Sequence, residues 1–403
     1  MKETSGLSNY HKKKLEIPTT EELKKALSLT GGSADKRGFP ADETKAQRIA
    51  EDMGLGFNLG NTFDAVPHPD SGLKGGQTET AWGNPYTTRD MIKKLRESGF
   101  KTMRLPVTWH PHVSGSSDVI DKDWMARIRE VVEWCLDEDM YVILNTHHDI
   151  LEGFLLPDND HIERSKEFMK NVWAQISEAF ADVTAERLVF ESLNEIRVPR
   201  TSYEWTPDYS NPDCLDAMRN TNDLNDIFVK TVRACGGENA DRCLVLPGYS
   251  TSMEGVCWEG FRLPEDIAPG LLMVSAHVYS PAHFTFYLKE GINLTTFDLE
   301  SEESVKPIDD RLEKLYDCFV AKGIPVLLDE FGTVDKDNDA DRLKCIVYTV
   351  AKASQLGIRC CYWDNGVYKR YGDGMAVFDR ENLEMYDEGP VEGMLAAVNM
   401  FAR

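Results

Sequence analysis

Basic residues are scarce in this chain: 45 Lys and Arg stand against 68 Asp and Glu among 403 residues, a formal charge of -23. Such a surface repels phosphate backbones, which argues against a nucleic-acid partner and suits an uncharged substrate. Long apolar runs are missing as well. No stretch approaches the roughly 18 consecutive apolar residues of a membrane span, so no membrane partner is expected. The start, Met1-Lys2-Glu3-Thr4-Ser5-Gly6-Leu7, has no apolar signal core. The nine cysteines, an odd number that includes Cys360-Cys361, suggest no disulfide framework and show no zinc spacing. They read as small buried hydrophobes. Together these absences favour a cytoplasmic protein, or a secreted one whose signal was removed. A Gly-rich phosphate fingerprint is also lacking, because Gly54, Gly56 and Gly60 lie in or at the end of the first apolar run. That argues against dinucleotide binding, and no cofactor or metal is expected.

What is present is enough for a large core, with 41% hydrophobic and 10% aromatic residues. Residues 1–42 are polar and lysine-rich and read as a leader, wrapped on the domain or partly loose. From 43 to 403 short apolar runs alternate with helical patterns. The strands are expected at Met53–Asn58, Thr102–Leu105, Tyr141–Asn145, Leu188–Glu191, Cys243–Leu246, Leu272–His277, Val326–Asp329 and Arg359–Trp363. They are apolar on both faces, as strands buried under helices are. Between them, sets such as Trp124, Ile128, Val131, Val132 and Cys135 recur at three-four spacing. Eight strand–helix repeats predict an α/β chain folded as one (β/α)8 barrel.

Chemistry in such a barrel sits where strands end at the carboxyl face. Seven of the eight runs deliver polar or aromatic groups there: Asn61 and Asp64, Arg104 with Trp109 and His110, His147-His148-Asp149, Asn194-Glu195, His277 and Tyr279, Glu330, and Trp363-Asp364-Asn365. A purely structural rim needs no such set. Glu195 and Glu330 come from strands four and seven, on opposite walls, and two facing carboxyl groups are what glycoside cleavage requires. Arg104 and Tyr279 are placed to donate to Glu330, which is expected to lower its pKa and leave Glu195 as the protonated member. Asn194 can donate to a sugar hydroxyl, and Trp363 offers an apolar face to a pyranose ring. His147 and His148, adjacent on an extended chain, should point to opposite faces, which makes chelation of one ion awkward. Of Trp82, Trp109, Tyr203, Trp205 and Trp258, some should line a cleft. The run Asp298–Glu303 reads as a solvated loop.

These segments resemble glycoside hydrolase family 5, in its endo-β-1,4-glucanase and xyloglucanase branch. The likeness runs through Gly56-Phe57-Asn58-Leu59-Gly60-Asn61-Thr62, Met103-Arg104-Leu105-Pro106, Asn145-Thr146-His147-His148-Asp149, Phe190-Glu191-Ser192-Leu193-Asn194-Glu195, His277-Val278-Tyr279, Leu328-Asp329-Glu330-Phe331-Gly332 and Trp363-Asp364-Asn365-Gly366. The resemblance implies the acid/base role for Glu195 and the nucleophile role for Glu330. It implies that Arg104, His147, His148, Asn194, His277, Tyr279 and Trp363 complete the site, with Asn61 and Asp64 near the next sugar on the non-reducing side. The implied partner is a β-glucan, as polysaccharide or oligosaccharide. Mannan, xylan and short cello-oligosaccharides remain open, as does a non-catalytic glycan-binding barrel or a metal-dependent hydrolase using His147 and His148. The insertion Tyr203–Asp213 and the segment Gly372–Val377 depart from the family pattern. The number of subunits is not legible.

Overall fold

The computed structural model describes residues 15–40 and 43–402. Eight parallel strands close into a barrel: β1 (Leu55–Leu59), β2 (Thr102–Leu105), β3 (Tyr141–Asn145), β4 (Leu188–Glu191), β5 (Leu244–Pro247), β6 (Leu272–His277), β7 (Val326–Phe331) and β8 (Arg359–Asp364). Each pairs with its chain neighbour, and β1 pairs with β8 to close the ring. The expected strands are all present, with ends moved by one or two residues. β1 begins at Leu55 because Met53 caps a helix and Gly54 turns the chain with φ +59°.

Helices α1 (Thr20–Leu27) and α2 (Lys45–Asp52) precede the barrel. Both start with a Thr capping box, formed by Thr19 with Glu22 and by Thr44 with Gln47. Ala46, Ile49 and Ala50 of α2 meet Ile143, Val189, Val245, Met273 and Leu327 in one buried cluster. The strand residues are branched or long and apolar, so they fill the barrel as side-chain layers and leave no pore. The polar leader also contributes to packing: Leu23, Ala26 and Leu27 are buried, and Arg37 lies 3.9 Å from the centre of the Tyr316 ring. Residues 1–14 of that leader lie outside the described residues.

Outer helices follow the strands: α3 (Arg89–Glu97), α4 (Lys122–Asp137), α5 (Ile162–Ala179), α6 (Pro212–Ala234), α7 (Glu302–Cys318), α8 (Asp339–Gln355) and α9 (Gly389–Asn399). After β5 comes only a four-residue turn of helix, Met253–Val256. Thr88, Asp121 and Asn211 cap α3, α4 and α6 with their side chains. The acidic side chains of the run Asp298–Glu303 are exposed, as their charge suggested, but only the first part of the run is loop. Leu299 is buried, and Glu302 and Glu303 form the first turn of α7, where negative charge complements the helix dipole. Among the described residues no helix is long and apolar enough to cross a membrane.

Candidate active site

The carboxyl ends of the strands converge on a guanidinium. Arg104, on β2, is fully buried. It donates from Nε and Nη2 to the two oxygens of Glu191 (2.8 and 2.9 Å), from Nη1 to Asn58 Oδ1 (3.0 Å) and Glu330 Oε1 (2.6 Å), and from Nη2 to Asn194 Oδ1 (2.9 Å). The planar fork thus ties β1, β2, β4 and β7 together, geometry a lysine cannot reproduce. It also fixes the Asn194 amide: with Oδ1 occupied by Arg104, the Nδ2 group is left to donate.

Glu330, near the end of β7, accepts a second hydrogen bond from the Tyr279 hydroxyl at 3.0 Å. His277, at the end of β6, stands between the two candidate carboxylates. Its Nδ1 lies 3.0 Å from Glu195 Oε1 and 3.5 Å from Glu330 Oε2. One oxygen of Glu195, His277 Nδ1 and one oxygen of Glu330 all lie within 4.8 Å of one another. Arg197, 3.7 Å from Glu195 Oε2, donates to the Glu195 carbonyl and lies 3.8 Å from the centre of the exposed Trp205 ring.

The charge order of the ligand-free site differs from the sequence expectation. Burial pushes Glu330 above the ordinary carboxylate range, against the pull of His277 and Arg104. Glu195 is pulled down: burial opposes this, but the His277 hydrogen bond and the charges of His277, Arg197 and His148 prevail. His277 is the reason. Burial disfavours its cation, yet the charge of Glu330 and the hydrogen bond with Glu195 push it up to about 9. At neutral pH the shared proton therefore rests on the imidazole, and the three groups titrate as a unit.

The histidine pair also differs from expectation. The chain leaves β3 at Asn145, so His147 and His148 are not on opposite strand faces; their rings meet edge to face at 4.5 Å. One ligand atom each from Asp64, His147 and His148 lie within 4.8 Å of one another. The hydrogen bonds speak against a metal there for another reason. Asn145 Oδ1 accepts from the Val107 amide, so Nδ2 is the group that donates to His147 Nδ1 at 3.1 Å. That makes His147 Nε2 the protonated nitrogen, unable to ligate. Burial first, then the neighbouring His148, Arg104 and His277 charges, holds His147 well below its ordinary pKa, so it is a neutral donor.

Trp363, at the end of β8, lies parallel to the His147 ring, 5.7 Å away at 4°. Trp82 is exposed on the rim, 5.6 Å from His148. Asp64 is fully buried, its oxygens taking the amides of Asn61 (3.1 Å) and Thr62 (2.7 Å), and burial raises its pKa to about 7. It sits under the turn that presents Asn61, with His148 Nε2 3.7 Å away. Other aromatic expectations divide. Trp109 is fully buried with its indole donating to Asn145 O, and Tyr203 packs in a small, nearly buried cluster. Residues that sequence reasoning did not single out support the set from below: Asn58, Asn145, Glu191, Arg197 and Asp329. For all but Arg197, which lies in the loop after β4, a charged or amide residue inside an otherwise apolar barrel strand was the available signal.

Three comparisons accompany this geometry. The family described as Cellulase (glycosyl hydrolase family 5) matches residues 64–369. Endoglucanase A of Ruminococcus albus is 35% identical over 88% of this chain and 93% of its own length. Endoglucanase A of Clostridium longisporum is 34% identical over 86% of this chain, which spans 64% of that longer protein. Among solved structures, a GH5 family lichenase from Caldicellulosiruptor sp. F32 superposes with a TM-score of 0.89 at 36% identity, over 97% of this chain and 100% of its own. A mutant of that lichenase has been solved in complex with cellotetraose. With a family match across most of the barrel and relatives at this identity, the chain belongs to glycosyl hydrolase family 5, the cellulase family.

Proposed function

We propose that this protein is an endo-acting β-1,4-glucanase that hydrolyses soluble β-glucans with retention, through a covalent glycosyl-enzyme. The observation that carries the reading is the pair Glu195 and Glu330, with carboxylate oxygens within 4.8 Å across His277. That spacing suits the roughly 5–5.5 Å of retaining glycosidases and leaves too little room for the water of an inverting one.

In this reading Glu330 attacks the anomeric carbon while Glu195 protonates the departing oxygen. The hydrogen bonds from Arg104 and Tyr279 aim Glu330 and hold its charge until it is neutralised by bond formation. The proton for Glu195 comes from within the unit: transfer from His277 Nδ1 to Oε1 across 3.0 Å yields a carboxylic acid and a neutral imidazole. After the leaving sugar departs, Glu195 takes a proton from water, which attacks the glycosyl-enzyme and frees Glu330. The Asn194 amide and His147 Nε2–H donate to sugar hydroxyls, and Trp363 offers its face to the ring. The names endoglucanase and lichenase among the relatives support β-glucan over mannan or xylan.

Digestion of barley β-glucan, carboxymethyl-cellulose, xyloglucan, glucomannan and cello-oligosaccharides, with product sizing, tests the reading. Internal cleavage of a soluble glucan is expected, with Glu195→Ala and Glu330→Ala each slower by roughly 10²–10⁴-fold or more. Binding without cleavage by the unaltered protein would make it a glycan-binding barrel, and cleavage abolished by a chelator would make it a metal-dependent hydrolase.

A further inference from the structure

Beneath the catalytic pair lies a carboxyl group that the reaction as written does not use. Asp329, the β7 residue before Glu330, is fully buried, and both of its side-chain oxygens lack a hydrogen-bond donor. Oδ1 lies 3.5 Å from His277 Nε2, itself buried without a partner, and Oδ2 lies 3.8 Å from Arg104 Nε. Its third neighbour is Glu191, which it meets carboxyl to carboxyl. Two carboxyl groups attract only if one of them holds a proton. Glu191 already accepts twice from Arg104 and once from Asn145, so its oxygens act as acceptors.

Charge counting gives the same assignment. The carboxyl groups are Glu191, Glu195, Asp329 and Glu330, with Glu204 3.2 Å from Arg197; the cations facing them are Arg104, Arg197 and His277. His147 and His148 are neutral, both lowered chiefly by burial. Carboxyl groups outnumber the cations, so at least one of them holds a proton. It should be the one with no N–H donor, because a buried, unpaired carboxylate is the least stable member of the set.

We propose that Asp329 is a neutral carboxylic acid that donates to Glu191 and accepts from His277 Nε2–H, and so acts as a positioning residue that turns the imidazole to aim Nδ1–H at Glu195. Its role in hydrolysis rests on the glucanase reading above. Burial and Glu191 raise the Asp329 pKa well above the ordinary range, against Arg104 and His277, in agreement with the geometry. The groups facing Asp329 are Glu191 from β4, Arg104 from β2, His277 from β6 and the Cys361 thiol from β8; those facing His277 include Glu195, Glu330 and His147.

The test compares Asp329→Asn, which keeps one donor and one acceptor without charge, with Asp329→Leu, which keeps the size alone. Two readouts are followed. One is the titration of the His277 imidazole by NMR in sugar-free protein; the other is the alkaline limb of kcat/KM on soluble β-glucan. Asp329→Asn should leave both unchanged. Asp329→Leu strands the His277 N–H, so both midpoints should fall by about one pH unit or more. Equal shifts in the two variants would mean that Asp329 is ionised, and no shift in either would mean that it does not hold His277. Each result overturns the proposal. Should Asp329→Leu fail to fold, the Asn variant decides alone, since loss of a negative charge at 3.5 Å would lower the His277 midpoint. The imidazole titration needs no turnover, so an inactive wild type would refute the glucanase reading without touching this assignment.

Discussion

At the scale of single residues, the site is organised by Arg104 as much as by the two glutamates. Its guanidinium makes five hydrogen bonds to side chains from three other strands and the loop after β4, and every one of those partners is polar and buried. Arg104→Lys keeps a charge but loses the fork, so Glu330 and Asn194 drift together. A fall in kcat on the order of 100-fold with little change in KM is expected, measured on soluble β-glucan. A fall confined to KM would place Arg104 in sugar binding instead. Gly60 is a second sensitive position. A Cβ there would lie 2.8 Å from the Trp363 ring and 2.9 Å from the Asp364 carbonyl. Gly60→Ala should tilt the Trp363 face and raise KM for cello-oligosaccharides roughly five- to tenfold, with kcat less affected.

Elements were the most legible part of the sequence. Every barrel strand lay near its expected place, because strands buried on both faces leave short apolar runs bounded by turns. The run Asp298–Glu303 is exposed as its charge suggested but also feeds a helix start, and the lysine-rich leader, read as wrapped or partly loose, contains the amphipathic α1. The facing glutamates were legible because Glu330 lies near the end of β7 and Glu195 shortly past the end of β4. The groups beneath them were not, since Glu191 and Asp329 differ from ordinary strand residues only in what they meet across the barrel. One further element went unread. Lys336, past the end of β7, is buried and donates to the carbonyls of His283 (3.0 Å), Tyr287 (2.9 Å) and Leu294 (3.2 Å). It pins the segment that carries Phe286, whose ring lies 4.5 Å from Tyr279. Lys336→Met should speed amide exchange across residues 282–294 and destabilise the protein by about 1–3 kcal/mol. Unchanged exchange there would show that the segment is held by other contacts.

For the whole molecule, the charges at the barrel mouth make stability depend on pH. His277 has a folded pKa of about 9 against 6.5 in the unfolded chain. A raised pKa stabilises the fold fully below the unfolded value, and that contribution is lost as pH rises through the folded one. Thermal midpoints of the wild type and His277→Gln should therefore differ most near about pH 6 and converge by about pH 9.5. A constant difference across that range would mean that His277 is not charged in the folded state. In the proposed mechanism the same proton connects stability with catalysis, because the unit that loses it above pH 9 is the one that would protonate the leaving oxygen.

The central claim is that Glu330 forms a bond to sugar while Glu195 moves the proton. Glu195→Ala removes the base needed for the second step but leaves the nucleophile, so an aryl β-cellobioside with a good leaving group should load the protein and stall. Mass spectrometry of the acid-quenched, digested variant tests this directly. A cellobiosyl adduct on the peptide containing Glu330 is the predicted result. An unmodified Glu330 peptide in a variant that still releases the aryl group, with α-configured cellobiose as the first product, would contradict it.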